Sequence, residues 1–231
     1  MNNLFQQSYK DFINQFLKKG YISKNFDNLN LNEKNQLILR HDIDFDVHAA
    51  YQIAKIEKEL NVTSTFFFLL RGDFYNLINN ENYDLITKIK SFGHNITLHY
   101  DISIYDNPKK ELNNEVKIFE QFFNTKVKII SIHRPSADFL SNPNNYFKIT
   151  NTYEDKFFKK TAYFADSGGR FRYGNPLDSK EFNSYRNIQL LTHPIWWVSN
   201  FSSVNDALND LIKKRKLNLT SLLQKNCKTF R

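Results

Sequence analysis

The chain has 231 residues, 41% hydrophobic and 24% charged, with 22 Phe and 12 Tyr, which is enough for one substantial, aromatic-rich core. A formal net charge of +8 is compatible with nucleic acid, an anionic membrane surface or an acidic substrate as a partner. The single Cys227 excludes an internal disulfide and a cysteine-rich metal site, and no window is long and apolar enough for a membrane span.

Met1 to Gln6 show no basic segment followed by an apolar run, so no secretory signal is visible and a cytoplasmic location is expected. Leu4, Phe5, Tyr9, Phe12, Ile13, Phe16 and Leu17 stand at helical spacing. They predict a one-sided helix over 4–19, part of an N-terminal helical extension of about residues 1–20. A polar connection over 23–36 leads to a strand over 37–41. Asp46 is suited to cap a following helix that carries Val47, Ala50, Ile53, Ala54 and Leu60 on one side. Thr63 to Leu70 is continuous, aromatic and β-branched, which suits a strand buried on both faces. A helix near 80–91, a strand over 95–99, a helix over 109–123 and a strand over 127–133 follow. Residues 137–160 read as long loops with a short helix. A short strand over 163–166, a flexible Ser167-Gly168-Gly169, a strand over 188–193 and a helix over about 202–215 complete the pattern. Strands alternate with helices without a break in composition, which predicts one α/β domain over residues 1–231 with a mainly parallel sheet or barrel. The densest lysine runs, Lys156 to Lys160 and Lys213 to Lys216, lie outside the histidine-bearing stretches and read as solvated faces, so no nucleic-acid partner is expected.

Four β-like runs end in a histidine with polar neighbours: Leu37–Leu39 in Arg40-His41-Asp42-Ile43-Asp44, Asn95–Leu98 in His99-Tyr100-Asp101, Ile129–Ile132 in His133-Arg134-Pro135, and Ile188–Leu191 in Thr192-His193-Pro194. The carboxyl ends of parallel barrel strands are where reactive side chains converge, so one shared enzymatic site is expected. Asp42 and Asp44, two apart, face the same side of a strand, and two like charges so close need a cation or a proton between them. A divalent metal taking one carboxylate and leaving the other as a base meets that need. A salt bridge to Arg40 is the alternative, and residue types alone leave the two even. Arg134, fixed by Pro135, is a natural partner for a carboxylate such as Asp166 or for an oxyanion. Trp196 and Trp197 supply flat apolar surface to a cleft or to the core.

In this order the stretches Arg40–Asp44, Gly93–His99, His133-Arg134-Pro135, Asp166-Ser167 and Leu191-Thr192-His193 resemble the motifs of the polysaccharide deacetylase (NodB-homology) superfamily. They look most like a divergent branch with a His-Asp-Val/Ile-Asp first motif. The resemblance runs from about residue 37 to 197 and implies a single-domain distorted (β/α) barrel of about seven units. It also implies metal-dependent removal of an acetyl group from an N-acetylated sugar or glycan precursor, with zinc the expected ion. By position, Asp42 matches the general base. Ile43 stands where the family has its metal-binding Asp, so Asp44 is the metal ligand by displacement. His99 matches the first metal histidine, Arg134 the arginine of the third motif with Asp166 orienting it, and His193 the general acid. Ser103 occupies the place of the second metal histidine. His133 from the neighbouring strand is the substitute, with Asp101 a second possibility. Trp196, Trp197 and Tyr100 are candidates to stack on sugar faces. A metal hydrolase of another C–N bond and an inactive glycan-binding relative remain open alternatives.

Overall fold

All eight residues of the Gln36–Ile43 strand are buried, and the sheet extends outward from it on both sides. In the computed structural model, residues 4–198 and 201–230 are described, so residues 1–3 of the expected N-terminal extension lie outside the described residues. The strands are β1 (Ile22–Ser23), β2 (Gln36–Ile43), β3 (Ser64–Leu69), β4 (Asn95–Asp101), β5 (Ile129–His133), β6 (Thr150–Asn151), β7 (Ala162–Ala165) and β8 (Ile188–Thr192). Every pairing is parallel, in the order β6-β5-β4-β3-β2-β8-β7, with β1 beside the start of β2.

The longer helices are α1 (Tyr9–Lys18), α2 (Val47–Glu59), α3 (Asn80–Ser91) and α4 (Pro108–Phe123). Short helices α5 (Ala137–Ser141), α6 (Pro143–Tyr146), α7 (Asp155–Phe158) and α8 (Lys180–Asn183) precede the long α9 (Val204–Asn226). The side chains of Ser8, Asp46, Asn79, Asn107 and Ser203 cap α1, α2, α3, α4 and α9 by accepting from backbone N–H groups. Two helix boundaries differ from expectation by several residues. Ser8 delays α1 to Tyr9, leaving residues 4–6 as a 3-10 turn. At the other end, α9 runs on past 215 to Asn226, because no Gly or Pro interrupts Lys216 to Asn226.

Side-chain alternation along β2 divides the molecule. Ile38 packs inside the barrel with Phe26, Phe67, Ile129 and Phe157, whereas Leu37, Leu39 and Ile43 belong to the larger core shared with the helices. The sheet curls far enough for its far end to meet its middle. Gln189 on β8 donates to the Thr152 and Phe157 carbonyls just beyond β6, and the Arg40 guanidinium lies 5.1 Å from the Tyr153 ring centre. The architecture is a distorted (β/α) barrel built on seven consecutive parallel strands, with the inward residues Arg40, Asp42, His99 and Ser131 stacked toward one end.

Candidate metal and acid–base site

Asp44 just beyond β2, His99 on β4 and His133 at the end of β5 bring ligand atoms within 4.8 Å of one another. Asp44 Oδ1 lies 3.2 Å from His99 Nε2 and 3.6 Å from His133 Nδ1, and these two nitrogens are 3.1 Å apart. The hydrogen bonds around the cluster fix what those atoms present. Ser131 Oγ donates to Asp42 Oδ1 at 3.1 Å, so it accepts from His99 Nδ1–H at 2.6 Å. The lone pair of His99 therefore sits on Nε2, aimed at the Asp44 carboxylate. Burial pushes the His133 pKa down. Asp44 Oδ1 is buried without a hydrogen-bond partner. An unpartnered carboxylate oxygen beside two imidazoles is the mixed oxygen and nitrogen set that holds a divalent cation, so this donor set fits a divalent metal.

Asp42 lies beside the cluster, with Oδ2 3.8 Å from His99 Nε2. Arg40, fully buried, grips it from two residues back on the same strand: Nε donates to Oδ1 at 3.0 Å and Nη2 to Oδ2 at 2.7 Å. Burial opposes ionisation, but this fork and the nearby histidines keep the Asp42 pKa low. With Ser131 also on Oδ1, one acceptor position stays open on Oδ2, the oxygen nearer the cluster. Of the two readings of the acidic pair, the salt bridge to Arg40 is present at Asp42, while Asp44 stands among the histidines as a candidate metal ligand.

His193, at the end of β8, is fixed by Asp166. The Asp166 carboxylate accepts the His193 ring Nδ1–H at 2.6 Å, its backbone N–H at 3.0 Å and Trp197 Nε1–H at 2.7 Å. Burial alone lowers the His193 pKa, but Asp166, with Asp44 and Asp42 beyond it, outweighs burial and raises it to about 9. Its Nε2 then lies 3.6 Å from Asp44 Oδ2. These groups share a cavity of about 730 Å³, whose walls include Phe45, Tyr153, Tyr163, Phe164 and Trp196.

Several sequence-based expectations need correction. Asp166 does not orient Arg134. It is wholly buried against His193 and Trp197, while Arg134 lies exposed on the cavity lip and forms no ion pair among the described residues. The cause is local: β5 ends at His133, and Arg134 leaves it in the left-handed region at φ 50°. That turn ends the strand alternation, so both His133 and Arg134 line the cavity. Asp101 is not a member of the cluster. Its Oδ1 caps the next turn through the Ser103 N–H and hydroxyl, and its Oδ2 stands 4.0 Å from His133 Nε2. His41, although at a strand end, faces the opposite side of β2. There it meets Thr192 Oγ1 at 2.7 Å and Glu57 Oε1 at 2.9 Å. Tyr100 and Trp197 are core residues, Trp197 stacking on Phe12 at 4.9 Å, which leaves Trp196 alone of the three on the cavity wall. Ser131 and Glu57, which the motif pattern does not single out, organise the two faces of the sheet.

Superposed on a mutant of the peptidoglycan deacetylase PdaC from Bacillus subtilis, the chain gives a TM-score of 0.50 at 12% identity, covering 86% of this chain and 100% of that one. The fold is that of the polysaccharide deacetylases. A family 4 carbohydrate esterase from Bacillus anthracis aligns over 88% of this chain and 86% of its own, with 18% identity and a TM-score of 0.48. The chitin deacetylase from the fungal pathogen Colletotrichum lindemuthianum aligns over 77% and 81%, with 16% identity and a TM-score of 0.46. No protein-family model and no curated protein sequence matches the chain. Within the polysaccharide deacetylase fold, the cluster described above occupies the carboxyl end of the strands, where parallel barrels carry their reactive groups.

Proposed function

We propose that this chain is a metal-dependent hydrolase of the polysaccharide deacetylase superfamily, in a divergent branch marked by His41-Asp42-Ile43-Asp44, that removes the N-acetyl group from a sugar or glycan precursor. The observation that carries this reading is the Asp44-His99-His133 donor set within one cavity that also holds Asp42 and His193. The proposed holders of the ion are those three residues, and their mixed imidazole and carboxylate character favours zinc. When bound, a divalent ion polarises the amide carbonyl and acidifies water.

The remaining work falls to the chain's own groups. Asp42, kept ionised and aimed by Arg40, accepts the proton of the attacking water at Oδ2. His193, held protonated at Nδ1 by Asp166, delivers a proton from Nε2 to the departing sugar nitrogen. Trp196 and the tyrosines of the wall offer apolar faces to the sugar rings. Arg134 at the lip meets the anionic part of a phosphorylated precursor. A lone, exposed Cys227 suits a reducing compartment, in keeping with a cytoplasmic precursor as substrate.

Metal content and acetate release from N-acetylated sugars test the reading together. Wild type is expected to hold about one zinc per chain, which Asp44→Ala and His133→Ala lose and His193→Ala retains. Acetate release by His193→Ala is expected to fall by about 10²–10⁴-fold. A wild-type protein that takes up neither zinc, cobalt nor manganese, or that binds sugars and metal without releasing acetate, overturns it.

A further inference from the structure

The first turns of α9 belong to the domain: Ala207 and Leu211 are buried, and Val204 and Leu208 help wall the cavity. Beyond Leu211 the helix touches the body of the protein only along the side that carries Lys214, Arg215 and Asn218, and after Asn218 it projects away. From Ile212 to Phe230 every residue is exposed except the half-buried Arg215, Thr220 and Ser221. The apolar stripe does not stop where the contacts do. Ile212, Leu219, Leu222 and Leu223 carry it on at 64%, 59%, 46% and 42% exposure, and Leu217 stands exposed at 63% on another side of the helix. Positions 212, 219 and 223 fall on one line of an α-helix, with 222 beside it.

The charge on this overhang is of one sign. Residues 211–230 contain Lys213, Lys214, Arg215, Lys216, Lys225 and Lys228 and no Asp or Glu. Lys214 pairs with Asp210, and Arg215 reaches the Phe45 carbonyl. Lys213, Lys216, Lys225 and Lys228 form no ion pair among the described residues.

We propose that the overhanging half of α9 docks on an anionic lipid surface. A helical overhang that exposes five aliphatic side chains among cations with no carboxylate satisfies both demands of such a surface: apolar area to enter the acyl boundary, and positive charge for the headgroups. The other partners meet only one demand. A second copy of the helix covers the leucines but brings cations against cations with no carboxylate between them. Nucleic acid answers the lysines and leaves the leucines in water. Because Val204 and Leu208 wall the cavity, the helix that enters the lipid surface is the one that shapes the site.

Flotation of the full chain with vesicles tests this. Wild type is expected to float with phosphatidylglycerol-rich vesicles and not with pure phosphatidylcholine, and added salt weakens the binding. Replacing Ile212, Leu219 and Leu223 together by Ser is expected to abolish flotation while thermal unfolding stays unchanged. Lys213→Gln and Lys216→Gln are each expected to weaken binding by about fivefold. The proposal is overturned if wild type does not float with anionic vesicles, or if the triple Ser variant floats as well as wild type. Light scattering without vesicles that shows a dimer, converted to monomer by the triple Ser variant, overturns it in favour of a second copy. Oligonucleotide binding without vesicle binding overturns it in favour of nucleic acid.

Discussion

At the scale of single residues, the decisive pair is Arg40 and Asp42. Both are buried and joined by two parallel hydrogen bonds, so removing the guanidinium strands a carboxylate in the barrel interior. Arg40→Met is expected to cost about 3–5 kcal/mol in urea unfolding, and Arg40→Lys recovers little, since an ammonium does not reproduce the fork. Arg134→Met, on the exposed lip, is expected to stay within about 0.5 kcal/mol of wild type. Equal losses at the two arginines would sink this assignment. Much of the candidate site was legible in the sequence at this scale: Asp44, His99 and His133 stand where strands end, and the period of two brings them to one side. Ser131 left a signal too, two residues before His133 and on the same face. The partner of Asp166 was not legible, because no local feature announces that Arg134 turns left-handed and swings away. Glu57 was hidden for a different reason: a charged residue in mid-helix normally faces water, and only β2 packed across α2 makes this one buried.

At the scale of elements, the turn after β7 shows how a loop is held to its wall. Gly169 has φ 72°, and a Cβ placed on it would stand 2.5 Å from Val204 Cγ2 at the start of α9. Gly169→Ala is expected to destabilise the fold by about 1–3 kcal/mol. Gly168→Ala, also at positive φ but with nothing within 4 Å of the added carbon, is expected to lose only about 1 kcal/mol. Chemical denaturation of the two variants separates backbone strain from the clash, and equal losses would show that Val204 yields freely. Strand β3 was readable to within about two residues because burial on both faces leaves a continuous apolar run, and β4 and β8 because β-branched and leucine residues end in a polar histidine motif. The stretch over 137–160 resisted reading because helices of four or five residues are too short to display a period.

At the scale of the whole molecule, the face of the sheet turned from the site carries its own charged network. Glu57 accepts from the Tyr9 hydroxyl at 2.6 Å and from Ser64 at 2.6 Å, and it meets His41 at 2.9 Å, tying α1, α2, β2 and β3 together. Burial opposes its ionisation, but His41 and then His94 and Ser64 prevail and lower its pKa from the ordinary 4.5. The unfolded chain therefore binds this proton more readily than the native one. The stabilisation is fully present above the ordinary glutamate pKa and declines as pH falls through the lowered native value. Urea unfolding of Glu57→Gln is expected to show lower stability at neutral pH and a shallower loss on acidification than wild type; parallel slopes would refute the role. The all-parallel sheet has a consequence for the order of assembly. The three candidate cation donors come from β4, β5 and the end of β2, so the cluster exists only once those strands are in place. A zinc finger, by contrast, takes its ligands from one short segment that the metal itself folds. The strands must first complete their slow long-range pairing, and on the proposed metal reading the ion enters last, as a clasp on a finished protein.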